Sequence, residues 1–265
     1  MTTSVDQTLP QRWLFVPGDD AARLDAALES GADAIVVDLE EFTPAAGRQL
    51  AISRFATFAR RARSLNVWPA VRLNLLEQGG RAELAALISN AAGALEDCPA
   101  VVFIPAVEHH AQLIALDDAL AEQEHLYRLP AGSLRSIATL ESQAGLLAAD
   151  ALLRPCEQTP HLLGALIGTG DLATDLGLSA TRDPVLITET LKPWRVRLAT
   201  ACQTHQRLAI DGPWRWKNGL GTDQHWANQQ GFKARCVIHP EQLEALSDLM
   251  PLATPLLEPT SRSHF

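Results

Sequence analysis

Short apolar runs recur along the chain, separated by longer stretches in which apolar residues return at every third or fourth position. The runs Trp13–Val16, Ala34–Asp38, Pro69–Leu73, Ala100–Ile104, Ser136–Leu140, Leu162–Ile167, Arg207–Ile210 and Cys236–Ile238 predict eight strands. Most are continuously apolar instead of alternating, the pattern of parallel strands buried on both faces. Between them, segments such as Asp20–Ser30, Arg81–Ala94, Val107–Gln123 and Glu189–Thr204 carry the three- and four-residue spacing of amphipathic helices. Eight strands, each followed by a helical crossover, predict an α/β fold of the closed (β/α)8, or TIM-barrel, kind over an open doubly wound sheet. The length of 265 residues suits one such domain. The barrel is expected to span 12–250, with loose tails at 1–11 and 251–265, and no repeat or linker divides it.

Composition narrows the classes of function. The chain is 47% hydrophobic and 20% charged, enough apolar residue for one large core in an ordinary globular domain. Its formal net charge of −9, with no run of Lys and Arg, disfavours nucleic acid as a partner. Cys98, Cys156, Cys202 and Cys236 are far apart and form no CxxC pair, which argues against a disulfide framework or a zinc site and suits a reducing cytoplasm. The N-terminal residues have no apolar signal-peptide core, and no apolar run reaches the ~20 residues of a membrane span. A soluble cytoplasmic protein, with no membrane partner, is expected.

In a barrel of this kind the chemistry lies where strands end in βα loops. Several predicted strands end in charged residues there. Glu141 and Asp171 follow neighbouring strands, so their carboxylates can face one another across the mouth. Such a pair can hold Mg2+, which takes one or two protein carboxylates and leaves other positions to water and substrate. Each also opens a helical stretch, and a role as helix N-cap or first-turn acid is an equal alternative. Arg72 offers a permanent charge and a fork of donors to a carboxylate or a developing oxyanion, or else a salt bridge to Asp38 or Glu40. Asp38 and Glu40 are placed to move protons or hold waters, or to pair with Arg72 and Arg12; Glu41 is read as such a pairing acid. Gly168-Thr169-Gly170 lets backbone come close to a ligand. It is no dinucleotide fingerprint, and without a Walker motif NAD and ATP are disfavoured.

At these same loops the chain resembles the citrate lyase β-subunit, malyl-CoA lyase and citramalyl-CoA lyase group of the HpcH/HpaI aldolase superfamily. The resemblance rests on eight stretches in one order. These are RWLFVPG (12–18), GADAIVVDLE (31–40), VRLN (71–74), IPAVE (104–108), LESQAG (140–145), IGTGDLATDLG (167–177), AIDG (209–212) and GFKARCVIHP (231–240). It implies a Mg2+-dependent barrel in which the family's metal-binding Glu and Asp fall on Glu141 and Asp171 and its substrate-binding Arg on Arg72. The implied reaction is a reversible cleavage of a 3-hydroxyacyl-CoA, such as citryl-, malyl- or citramalyl-CoA, through an enolate to an acyl-CoA and a 2-oxo acid. Substrate contacts are then expected from Arg72, Glu141, Gly168, Thr169 and Gly170, catalytic roles from Arg72, Asp38 and Glu40, and a homotrimer or homohexamer. An aldolase acting on free 2-oxo acids and a noncatalytic accessory subunit are the alternatives. The chain departs from the family where Glu41-Phe42-Thr43 replaces D-A-V, where Ala106 replaces a common Lys, and where Lys233-Ala234-Arg235 replaces x-G-K. It is also expected to lack the C-terminal extension that gives malyl-CoA lyases a lid and an acid.

Overall fold

The computed structural model describes residues 9–178 and 181–250. The strands are β1 (Arg12–Pro17), β2 (Ala34–Asp38), β3 (Trp68–Arg72), β4 (Val101–Ile104), β5 (Arg135–Leu140), β6 (Leu162–Ile167), β7 (Leu208–Asp211) and β8 (Ala234–Val237). They close in chain order into one parallel barrel, as the alternation of elements predicts. Around it lie α1 (Ala21–Leu28), α2 (Arg48–Ser64), α3 (Gly80–Ala91), α4 (His110–Tyr127), α5 (Gln143–Leu147), α6 (Ala149–Leu153), α7 (Thr169–Asp175), α8 (Pro184–Thr204), α9 (Leu220–Gln230) and α10 (Gln242–Ser247). No helix among the described residues is long and apolar enough to cross a membrane.

Successive side chains on a strand point to opposite faces, and here both faces are apolar. Trp13, Phe15, Val36, Ala70, Phe103 and Ile210 belong to the cluster that fills the barrel. Leu14, Ile35, Val71, Val102, Ala138 and Ala209 belong to the larger cluster shared with the helices. Within the barrel Trp13 and Phe15 each meet Phe103 edge-to-face, with ring centroids 5.4 Å apart, an arrangement favoured by the ring quadrupole.

The expected tails at 1–8 and 251–265 lie outside the described residues. Residues 9–11, read from sequence as part of the first tail, lie against the barrel. Pro10 accepts a hydrogen bond from Trp13 Nε1 at 2.9 Å, and the Gln11 carbonyl accepts one from Arg235 N–H at 2.7 Å.

Of the boundaries that differ from the sequence pattern, three have a clear local reason. Strand β8 begins two residues before Cys236, because Arg235 is a buried strand residue despite its charge. Helix α4 begins at His110, not Val107, because Ala106 takes φ 49° and turns the chain after β4. Helix α8 begins at Pro184, five residues before the predicted start. Asp183 caps it, accepting N–H bonds from Val185 and Leu186, and proline stands at the first turn where no donor is needed.

Candidate active site

Strand parity decides which charged residues reach the mouth. On β2 Ala34 and Val36 point inward, so Asp38 does too; on β3 Ala70 and Arg72 share that phase. Asp38 and Arg72 are register partners on adjacent strands. Asp38 is fully buried and grips the guanidinium with both oxygens, from Nε at 2.8 Å and Nη2 at 2.5 Å. The backbone N–H groups of Glu40 and Phe42 also donate to it, each at 3.0 Å. Asp38 is thus occupied by Arg72 and by backbone N–H groups, which leaves it ill placed to carry protons.

The other edge of Arg72 remains at the mouth. Nη1 lies 3.1 Å from Glu40 Oε2 and Nη2 3.2 Å from Glu41 Oε2. The rings of Phe15 and Phe42 flank the group at 5.5 and 5.9 Å. Burial alone would lower the guanidinium pKa, but the hydrogen bonds and charge of Asp38, with Glu40, more than reverse this and raise it. The salt-bridge reading of Arg72 is met on both edges: Asp38 takes one, and the other lies beside Glu40 and Glu41. Glu40 has its pKa raised, first by burial, against the pull of Arg72 and with the push of Asp38, Glu41 and Asp171.

Glu141 follows the last residue of β5. Its Oε1 accepts the Ala106 N–H at 2.7 Å, the bond that the left-handed turn at Ala106 makes available. A Cβ on Gly168 would fall 2.4 Å from Glu141 Oε2, so only glycine lets the carboxylate lie across this backbone. Burial pushes the Glu141 carboxyl up to about 7, against the Ala106 N–H bond and with the charge of Asp171 adding to the rise. Asp171 lies in the first turn of α7, exposed, with no hydrogen bond or ion pair among the described residues. Neither acid caps a helix. The N-cap of α5 is Ser142, whose hydroxyl accepts Gly145 N–H at 3.1 Å, and that of α7 is Gly168.

This arrangement suits a hard cation. The donors are all carboxylate oxygens, Glu141 Oε2 has no protein donor, and Glu141 lies within the electrostatic reach of both Asp171 and Glu40. Among the described residues no group of three His, Cys, Asp or Glu is arranged as a metal cage. A site offering only two carboxylates fits Mg2+, which keeps several waters, and not zinc, which is bound through nitrogen and sulfur as well.

Across the mouth, the glycines after β6 and β7 make room for side chains. A Cβ on Gly212 would fall 2.4 Å from the Thr169 side chain, and one on Gly170 would fall 2.0 Å from Arg215 Nη2. Arg215, between Trp214 and Trp216 in the loop after β7, went unnoticed in the sequence, although a cation at a strand-end loop is itself a signal. The Ala106 N–H left no signal, since a backbone donor has no letter of its own. Beneath this loop, in the layer between sheet and helices, Arg195 of α8, Asp211 of β7, Asp223 of α9 and Arg235 of β8 form a buried ionic cluster.

A model of the family described as HpcH/HpaI aldolase/citrate lyase matches residues 11–240. A (3S)-malyl-CoA thioesterase of Cereibacter sphaeroides is 28% identical over 235 residues, which cover 87% of this chain and 73% of the relative. Among solved structures, RipC from Yersinia pestis is 29% identical with a TM-score of 0.68, over 94% of this chain and 98% of its own. CitE from Mycobacterium tuberculosis, in complex with magnesium, acetoacetate and coenzyme A, is 22% identical with a TM-score of 0.69, over 92% and 82%. The last likeness is one of fold.

Proposed function

The chain belongs to the HpcH/HpaI aldolase/citrate lyase family, and from that premise we propose that it reversibly cleaves a 3-hydroxyacyl-CoA to an acyl-CoA and a 2-oxo acid, with Mg2+ held by Glu141 and Asp171. The observation that carries the reading is the Glu141 carboxylate, half-buried, fixed by one backbone donor and with its other oxygen beside Gly168. The magnesium in the CitE complex, together with its coenzyme A, supports the same assignment. When bound, the ion would polarise the 2-oxo acid carbonyl as a Lewis acid.

The chain's own residues supply the rest. Arg72, held in plane by Asp38, has its Nη1 edge beside Glu40, where it would donate to substrate oxygen as negative charge gathers. Glu40, with its raised pKa, is the base. In the cleavage direction Glu40 takes the 3-hydroxyl proton, and the oxygen's electrons form the new carbonyl. The carbon–carbon bond breaks toward the thioester, and the resulting thioester enolate gains a proton to become the acyl-CoA. Gly168, Thr169 and Gly170 line the substrate side of the mouth. The four free cysteines support a reducing, cytoplasmic setting, and the family premise supports a homotrimer or homohexamer.

Hydrolysis of the same thioester is a second reading, favoured by the thioesterase relative. Incubating the protein with (3S)-malyl-CoA and Mg2+, with and without EDTA, separates the two. Acetyl-CoA and glyoxylate, lost with EDTA, are expected; malate and free CoA would favour hydrolysis. An unchanged thioester would overturn both and leave an aldolase of free 2-oxo acids or a noncatalytic subunit.

A further inference from the structure

Between β4 and α4 the chain makes a turn that carries the Ala106 N–H, the donor that fixes Glu141 Oε1 at 2.7 Å. The turn is strained. Ala106 takes φ 49°, a conformation that disfavours a residue with a Cβ and persists where the surroundings over-determine it. Gln112, in the first turn of α4, supplies that hold. Its Nε2 donates to the Ala106 carbonyl at 3.0 Å, while its Oε1 accepts the backbone N–H groups of Glu108 at 2.8 Å and His109 at 2.9 Å.

The two halves of this amide serve different ends. Accepting from His109, the residue before the helix, satisfies an N–H that the helix cannot use, which is the ordinary service of a Gln or Glu at this place. Donating to Ala106 lies outside that service. The Ala106 carbonyl and N–H are joined through one Cα, so holding the first limits the swing of the second. On its far side the turn is braced by the segment that delivers Glu141. Val107 N–H donates to the Thr139 carbonyl at 3.0 Å, and Ser142 Oγ donates to Glu108 Oε1 at 2.5 Å. A Cβ on Gly145 would fall 2.4 Å from the Val107 carbonyl oxygen, so α5 packs directly on the turn. The turn is a wedge between α4 and the end of β5, and Gln112 pins it from the α4 side.

We infer that Gln112 is a positioning residue for the metal site: by pinning the Ala106 turn, it sets the direction in which Glu141 presents its second oxygen to Mg2+. This rests on the reading of Glu141 as a Mg2+ ligand and adds what keeps that ligand aimed. Gln112 touches neither ion nor substrate; it acts through a backbone donor.

The test is Mg2+ titration by calorimetry beside urea unfolding, so that it does not depend on turnover. Gln112→Glu keeps an acceptor for Glu108 and His109 and loses the donor to Ala106. Its added negative charge would by itself tighten Mg2+ binding. It should unfold at the parent's urea midpoint yet bind Mg2+ at least fivefold more weakly. Gln112→Met loses both halves and should weaken Mg2+ binding at least as much, with a lower midpoint. As a control, Arg63→Met strips bonds to the carbonyls of Leu95, Glu96 and Cys98 before β4, at the other end of the barrel. It should lower the midpoint and keep the parent's Mg2+ affinity. Parent-like Mg2+ affinity in either Gln112 variant overturns the inference. An equal loss of affinity in Arg63→Met would make the effect one of general destabilisation and overturn it too. A parent that binds no Mg2+ would sink the metal reading and this inference with it, an outcome distinct from a parent that binds and variants that match it.

Discussion

The barrel carries two aspartate–arginine pairs built on one plan, and they end in opposite states. Asp38 and Arg72 are register partners at the ends of β2 and β3; Asp211 and Arg235 are register partners on β7 and β8. The difference is a phase of one residue. Asp38 follows inward-facing Val36 by two positions and so points into the barrel, whereas Asp211 comes directly after inward-facing Ile210 and points to the helices. The outward pair recruits Arg195 and Asp223 and is neutralised, with Trp226 closing over Arg195 at 4.4 Å. The inward pair recruits only acids, Glu40 and Glu41 around the one guanidinium, with Glu141 and Asp171 nearby. Burial penalises both Asp211 and Glu141. Asp211 nonetheless has its pKa lowered, because Arg195 and Arg235 outweigh the penalty. Glu141 is pushed up to about 7, because nothing comparable does so. One cluster is electrically closed. The other is short of positive charge, which is where a cation belongs.

If that contrast is right, the closed cluster serves stability and the open one serves chemistry. Arg195→Met should cost about 3–5 kcal/mol in urea unfolding, because it leaves two buried aspartates sharing Arg235 as their one cation. Turnover per folded molecule should fall by less than tenfold. Arg72→Lys should do the reverse: an ammonium keeps the charge and loses the fork, so kcat should drop on the order of 100- to 1,000-fold, with a smaller loss of stability. If Arg195→Met reduced turnover as much as Arg72→Lys, the division between the clusters would be wrong.

Much of the barrel was legible in the sequence because both faces of each strand are apolar, and a run such as Val36-Val37 or Val101-Val102-Phe103 has little alternative. Arg235 was not, since a charged letter hides a strand residue whose acidic partners come from two other elements. The site was legible to the extent that its side chains end strands: Asp38, Arg72 and Glu141 lie where the rule puts them. Whether Arg72 would be consumed by its salt bridge was undecidable, because the answer depends on which edge of the guanidinium Asp38 takes. Arg215 was missed because it ends no strand and belongs to none of the eight matching stretches.

The shortage of positive charge at the open cluster makes its own prediction in pH. A carboxyl whose folded pKa stands above its ordinary value binds more protons folded than unfolded between the two. Metal-free protein should therefore lose stability as pH rises from about 4.5 to about 7. Glu141→Gln, which has no charge to lose, should flatten that slope. Because Mg2+ competes with the proton, its affinity should climb toward pH 7 and level off above it. Thermal melts of parent and variant across this range, with Mg2+ or EDTA, read both effects. A parent melt indifferent to pH would mean that Glu141 is already neutralised by the protein, as Asp211 is.

The smallest expected effect concerns how the open cluster is aimed. Asp211 is oriented by two arginines, whereas Glu141 depends on a backbone donor presented by Ala106 at φ 49°, a conformation that disfavours residues with a Cβ. Glycine adopts it freely, and its greater freedom in the unfolded chain offsets part of the relief. Ala106→Gly should accordingly leave stability within about 1 kcal/mol of the parent, with Mg2+ affinity retained. Ala106→Val should lose about 1–2 kcal/mol and weaken Mg2+ binding, since a β-branched residue resists that turn. Equal behaviour of the two variants in urea unfolding and Mg2+ titration would show that the turn does not hold Glu141, and that its orientation comes from Gly168 alone.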